Sequence, residues 1–301
     1  MADDGAEKPT VETSTPEAAF GLLSHEIRFG ILRALHDADG VQSFSALRDA
    51  VGVDDPGQFN YHLGELVGRF VRSTESGYRL AAAGQRVVGA VLSGGVTMEL
   101  DAEPVATDAP CPACGAAMTA RFRSEGIAIE CPACELQYTD PDVPPGLVDA
   151  VATDEVADVV ERWGQRNRAS AGYGLCHNCD GPITTEVVLP GDARAPDWLD
   201  GDDLETTVVY ECDRCGESWH AIVPLAALSH PAVMGFHHDH GIDLRTTPTW
   251  NLPWLAVDGG TVTDRDPLRV TVTMTLDDET ATFTFDRDLS VVSEQRDPSE
   301  T

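Results

Sequence analysis

All eight cysteines of this chain fall in C-x-x-C pairs, and none is left over: Cys111/Cys114, Cys131/Cys134, Cys176/Cys179 and Cys212/Cys215. A C-x-x-C turn delivers two sulfurs to one side of a tight loop. Two such turns brought together by a hairpin complete a four-thiolate shell of the kind that holds a tetrahedral metal ion. The spacing therefore dictates two small hairpin units and places them in the central part of the sequence.

The first two pairs are 16 residues apart, the spacing of a zinc ribbon over 111–140. Segments 117–123 and 127–130 around Ser124-Glu125-Gly126 supply its hairpin. The second two pairs are 32 residues apart within a zinc-ribbon-like unit over 173–223. There the excess is a polar insertion, 190–204, between strands expected over 183–189 and 206–211. The alternatives are that knuckles from different clusters combine, or that the pairs are redox dithiols. The expected cofactors are two Zn2+ ions. Both sites read as structural, because four thiolates leave no position open for water, and metal binding would supply folding free energy to units with small cores. His177 lies inside a knuckle whose cysteines already fill the ligand role. His220 and the stretch His237-His238-Asp239-His240 offer a further candidate metal site, set against an ordinary exposed helix end.

The rest of the chain predicts an α+β protein. Residues 16–95 read as a winged helix-turn-helix, 96–110 as a linker, 146–168 as a helix, and 224–301 as a mixed region ending in a β-hairpin. Within 16–36 the apolar residues Phe20, Leu23, Ile27, Ile31, Leu32 and Leu35 recur at three and four, so one helix is expected, capped by Thr15. A second helix is expected over 43–51, closed by Gly52. A third opens at Asp54-Asp55-Pro56 with Gln58 completing a capping signal. Two short strands, 70–74 and 78–80, and a helix over 81–92 finish the plan. With Phe59, Leu63 and Leu66 facing the core, the third helix presents Gly57, Gln58, Asn60, Tyr61 and Gly64 outward. Gln58 and Asn60 suit bidentate bonding to adenine, Tyr61 suits phosphate or a thymine methyl, and Arg72 and Arg79 flank the wing as phosphate contacts. His62, beside the core stripe, reads as a histidine satisfied within the fold.

The charge distribution supports that assignment. Fifty-one acidic residues against 20 basic ones give a net charge of −31. They are spread along the chain, the pattern of adaptation to very high salt. Residues 16–95 nevertheless hold seven arginines against nine carboxylates, whereas 96–301 hold 12 against 38. A surface that approaches phosphates cannot be coated in carboxylates. With no run of 18 apolar residues and an acidic, disordered-looking tail over 1–15, neither a membrane span nor a secretory signal is expected. A reducing, cytoplasmic setting follows, in which thiolates bind metal rather than pair.

The run Leu23-Ser24-His25-Glu26-Ile27-Arg28-Phe29-Gly30-Ile31-Leu32, followed by Phe59-Asn60-Tyr61-His62-Leu63-Gly64-Glu65-Leu66 and Tyr78-Arg79-Leu80-Ala81-Ala82-Ala83-Gly84, resembles the ArsR-like winged-helix regulators, especially those of halophilic archaea. The resemblance spans about 80 residues and implies double-stranded DNA as partner and a homodimer formed through the first and last helices. The family's sensing cysteines are missing from this domain. A winged helix followed by a zinc ribbon also resembles the archaeal factor that assists initiation by contacting RNA polymerase. The expected function is thus DNA-binding transcription regulation, with an initiation accessory factor or a zinc or redox sensor as the alternatives. Without a nucleophile, phosphate loop or open metal site, an enzyme is not expected.

Overall fold

The apolar stripe expected as one helix over 16–36 is two helices, α1 (Pro16–Gly21) and α2 (Glu26–Asp37). The break has a local cause: His25 is extended and its ring accepts a hydrogen bond from Ile27 N, so it caps α2, while Ser24 bonds back to the Gly21 carbonyl. Short polar side chains that bond nearby backbone compete with helix continuation. Thr15 caps α1 as expected.

The computed structural model describes residues 14–38, 40–100, 102–123, 126–139, 143–149, 151–200, 204–252, 254–255 and 260–298. All but the last two residues of the tail expected over 1–15 lie outside them. The protein is mixed α+β and divides into two compact units between Met98 and Glu99.

In the first unit, α3 (Phe44–Val51) starts on a Ser43 cap and stops at Gly52 in the left-handed region. In α4 (Pro56–Leu66), Asp55 caps the helix by accepting from Gly57 N and Gln58 N. A hairpin of β1 (Val71–Thr74) and β2 (Gly77–Leu80) follows, then α5 (Ala82–Leu92). Tyr78 exchanges both backbone hydrogen bonds with Gln42, tying the hairpin to the segment before α3. Ile31, Leu32, Leu47, Phe59, Leu63, Leu66 and Val71 fill the centre. A fully buried side chain of this size is worth roughly 1.5–3 kcal/mol, so the cluster specifies how the four elements pack.

The second unit opens with an antiparallel sheet of β3 (Val105–Pro110), β4 (Ala117–Arg123), β5 (Gly126–Glu130) and β6 (Gln137–Thr139). The linker expected over 96–110 is therefore too long: its last six residues are a strand, with Thr107 and Ala109 buried in alternation. Acidic and proline residues on the exposed face masked that period. The helix expected over 146–168 is likewise corrected, to α6 (Gly146–Asp149), a 3-10 turn (Thr153–Glu155) and α7 (Val156–Gly172). Next come β7 (Ile183–Val188), β8 (Thr207–Cys212) and β9 (Ser218–Ala221) in one sheet, with α8 (Val223–Ala227) and α9 (Pro231–Asp239).

The C-terminal hairpin is the middle of a four-stranded meander, β10 (Thr261–Arg265), β11 (Leu268–Leu276), β12 (Glu279–Phe285) and β13 (Val291–Pro298). The edge strands carry little apolar alternation because β13 is exposed along nearly all its length. Val208, Tyr210, Val223, Phe236, Val270, Met274, Phe283 and Phe285 share one core, which welds this meander to the sheet bearing the second cysteine group.

Candidate metal centres and candidate nucleic-acid face

The four C-x-x-C turns are built alike. In each, the first cysteine's carbonyl accepts from the amide four residues on: Gly115, Glu135, Asp180 and Gly216. Its own N–H bonds the carbonyl of Ala116, Leu136, Gly181 or Glu217 at 2.7–2.8 Å. The residue after the second cysteine takes positive φ every time, 74° at Gly115, 61° at Glu135, 56° at Asp180 and 77° at Gly216. Glycine adopts that region at no steric cost. Glu135 and Asp180 do not, so the knuckle's paired backbone bonds hold them there.

These turns bring Cys111, Cys114, Cys131 and Cys134 together, and separately Cys176, Cys179, Cys212 and Cys215, with all sulfurs of a group within 4.8 Å of one another. The cross-pairing of clusters left open by the spacing does not occur. The S···S separations are 3.6 Å (Cys111 to Cys134), 3.5 Å (Cys114 to Cys131), 3.8 Å (Cys176 to Cys215) and 3.5 Å (Cys179 to Cys212). Four thiolates at about 2.3 Å from a tetrahedral ion sit about 3.8 Å apart, whereas a disulfide needs about 2.05 Å. All eight are free thiols. The donor set and its spacing fit a divalent ion in each group.

Electrostatics within each group push its thiols apart: the Leu136 N–H favours thiolate at Cys134, but burial and the neighbouring sulfurs push it up to about 12, burial and the Cys215 sulfur push Cys179 up to about 12, and one thiol of each group goes the other way. Burial raises the Cys131 thiol, but N–H groups of Cys134 and Ala133 and the neighbouring sulfurs outweigh it and bring it down to about 7. For Cys212 the N–H of Cys215 acts first and Arg214 N adds to it, again giving about 7. Backbone donors aimed at sulfur stabilise thiolate, the form a metal binds. The surroundings differ: at the second group, His177 packs edge-on against Trp219 (4.8 Å) and Trp163 (5.9 Å). Gly181 lies so close that an added Cβ would sit 3.0 Å from Cys179 Sγ.

The candidate site at His237 to His240 dissolves on inspection. His237 is buried; its Nδ1–H donates to the Val233 carbonyl (2.8 Å) and its Nε2 accepts from Trp254 Nε1 (2.9 Å). Burial lowers its pKa, so it serves as a neutral core bridge. His240 bonds the Phe236 carbonyl and lies 3.3 Å from the Glu279 carboxylate. Among the described residues only the two cysteine groups converge as metal ligands.

In the first unit, Gln58, Asn60, Tyr61 and Gly64 are exposed on α4 while Phe59, His62, Leu63 and Leu66 are buried. Tyr61 is 59% exposed. Arg72 and Arg79 are exposed and sit directly opposite each other in the β1/β2 register.

Two residues that the sequence reading passed over complete the picture. Arg28 Nε donates to His62 Nδ1 (3.3 Å), and its Nη1 donates to the carbonyls of Gly21 and Leu22. The His25 ring lies 4.0 Å from that of His62. This clasp fastens the α1–α2 corner to the buried side of α4. The signal was present: Arg28 falls on the apolar stripe of α2, one turn before Ile31 and Leu32. Burial first, then His25 and Arg28, lowers the His62 pKa below its usual 6.5. Stability from the neutral ring is therefore fully present above pH 6.5 and is lost as pH falls below it. The expected result is a unit-1 unfolding midpoint that drops between pH 7 and 5 and drops less in His62→Gln; equal slopes would remove the clasp from the account.

Residues 108–291 match the family described as Domain of unknown function (DUF7351), and residues 16–91 match the family described as Domain of unknown function (DUF7347). No curated protein and no solved structure matches the chain. Since the first match spans more than half of the sequence and contains both cysteine groups, the chain belongs to the DUF7351 family.

Proposed function

We propose that this protein is a DNA-binding transcription regulator: a winged helix-turn-helix of the ArsR-like kind reads double-stranded DNA, and a half stabilised by two structural zinc ions serves partner or signal binding. One observation carries the reading. Arg72 and Arg79 face each other across a two-stranded ribbon, and among the described residues neither has a carboxylate partner. Like charges directly opposite destabilise a ribbon, and this chain has 51 carboxylates with which to neutralise them. A phosphate between the two guanidinium groups removes the repulsion and uses both donors.

The exposed amides on α4 then read base edges. Asp55 fixes the first turn of that helix and the Arg28–His62 clasp fixes its buried side, so Gln58, Asn60 and Tyr61 are presented on a rigid element. The homodimer follows from the other end of the unit. No residue of α1 is buried, Phe20 is 71% exposed and Leu92 of α5 is 49% exposed. A second copy covering these helices would remove that apolar surface from water. Each zinc would be held by one complete cysteine group, with no protein position left for catalysis.

Selection from random duplexes tests the reading. Gln58→Ala or Asn60→Ala should shift preference at one base pair by about 1–3 kcal/mol. Arg72→Ala with Arg79→Ala should weaken every duplex alike and reduce the slope of log K against log salt by about 0.9, the contribution of the one phosphate the pair shares. Binding without sequence preference, together with co-purification with RNA polymerase, would favour the accessory-factor reading instead.

A further inference from the structure

The second unit carries most of the chain's negative charge, yet one of its surfaces departs from that pattern. From Arg162 to Cys179 there is no aspartate or glutamate, while three arginines fall within seven residues. The first part of this run is the C-terminal two-thirds of α7. There Arg162, Arg166 and Ala169 are exposed, as is Tyr173 at the cap just past the helix, and their spacing of four, three and four aligns them on one stripe.

The buried side of α7 explains none of these four. Val156, Ala157, Val160, Glu161, Asn167 and Ala171 do the packing. Arg168 turns inward to Glu161, which in turn accepts from Thr249.

The outward residues are held ready rather than neutralised. Arg162 has no carboxylate or other polar partner among the described residues. Arg166 donates to Asn167 Oδ1 through Nε and Nη2 and lies over the Trp163 ring, 5.7 Å from its centroid. That fixes its guanidinium at the surface without cancelling its charge. Like charges four apart on a helix destabilise it; Asp158, exposed one turn before Arg162, offsets part of this, and a bound anion would return the rest. Tyr173, 83% exposed, is the most exposed large aromatic side chain described. Two cations one turn apart and an aromatic hydroxyl fit a line of phosphates and sugars.

We propose that this outer face of α7 is a second contact surface for the backbone of duplex DNA. It would touch DNA flanking the site read by the first unit, and it rests on the DNA-binding reading given above. Because both surfaces belong to one chain, the second contact forms at high effective concentration once the first is made. It adds affinity and site length but no base readout, since phosphate contacts position without specifying.

The test is the salt dependence of duplex binding by the intact, metal-loaded protein, using a selected site extended by about 20 base pairs on each side. Arg162→Ala with Arg166→Ala should lower the slope of log K against log salt by about 1.8 and leave the preferred sequence unchanged. The paired Arg→Lys variant should keep the parental slope. Arg265→Ala, an exposed arginine on β10, serves as a charge control and should leave it unchanged. A parental slope in the α7 alanine variant, with parent binding intact, overturns the second surface and spares the first. A parent that binds no duplex overturns both. Loss of a dimer in the α7 variant without DNA present would assign the face to a second, acidic copy of this chain and also overturn the proposal.

Discussion

With a metal ion held by each cysteine group, as proposed, a strong chelator should unfold the cysteine-bearing sheets of the second unit and leave the first unit folded. Apparent binding free energies of structural zinc in small domains are about 10–16 kcal/mol, against a total of roughly 5–15 kcal/mol for an ordinary domain. Without the ion, each group leaves four thiols crowded at 3.5–3.8 Å with nothing to bind them. The chain supplies its own reporter: all five tryptophans lie beyond residue 98, and Trp163 and Trp219 flank His177 in the third knuckle. Chelation should abolish tryptophan near-ultraviolet dichroism. Cys131→Ser and Cys212→Ser should each reduce bound metal from two ions to one. Native tryptophan signals after verified metal loss would show that the ions do not hold the fold.

Gly77→Ala should strongly destabilise the first unit, costing about 2–5 kcal/mol. Gly77 begins β2 at φ 142°, and an added Cβ would lie 2.2 Å from the Gln42 carbonyl oxygen. That carbonyl accepts from Tyr78 N at 2.8 Å, so relieving the clash breaks the bond tying the hairpin to the segment before α3. The sum combines roughly 1–2 kcal/mol for an L-residue in an unfavourable backbone region with about 1–3 kcal/mol for overpacking. Gly68→Ala separates the two parts, since Gly68 has φ 92° but nothing within 4 Å of its Cβ position. Denaturant midpoints should fall much further for Gly77→Ala; equal losses would leave the close approach without consequence.

Much of this was legible before any coordinates. The caps at Thr15 and Asp55, the stop at Gly52 and the hairpins between cysteine pairs all rest on local chemistry that does not depend on the rest of the chain. What was missed has separate physical causes. β3, β10 and β13 are edge strands whose exposed positions are acidic or polar, so the period of two is diluted. The break between α1 and α2 is decided by capping at His25, which interrupts an apolar stripe that by itself continues. At the candidate sites, Gln58, Asn60, Tyr61, Arg72 and Arg79 were read from periodicity alone. Arg28 was not, because an arginine on an apolar stripe acquires meaning only when its partner, 34 residues away, is known.

By itself the sequence determined the four C-x-x-C turns, and it did so because a knuckle is closed by bonds within six residues. The spacing favoured which knuckles meet, and tertiary structure decided it against the cross-pairing that the spacing left open. Pairing 111/114 with 131/134, and 176/179 with 212/215, depends on the registers of β4 with β5 and of β7 with β8. Those registers are set by which faces the two cores bury. The same holds for Glu135 and Asp180, whose positive φ no residue preference announces. Their conformation is imposed by the backbone bonds that close each knuckle, and it costs less than leaving four sulfurs unable to converge.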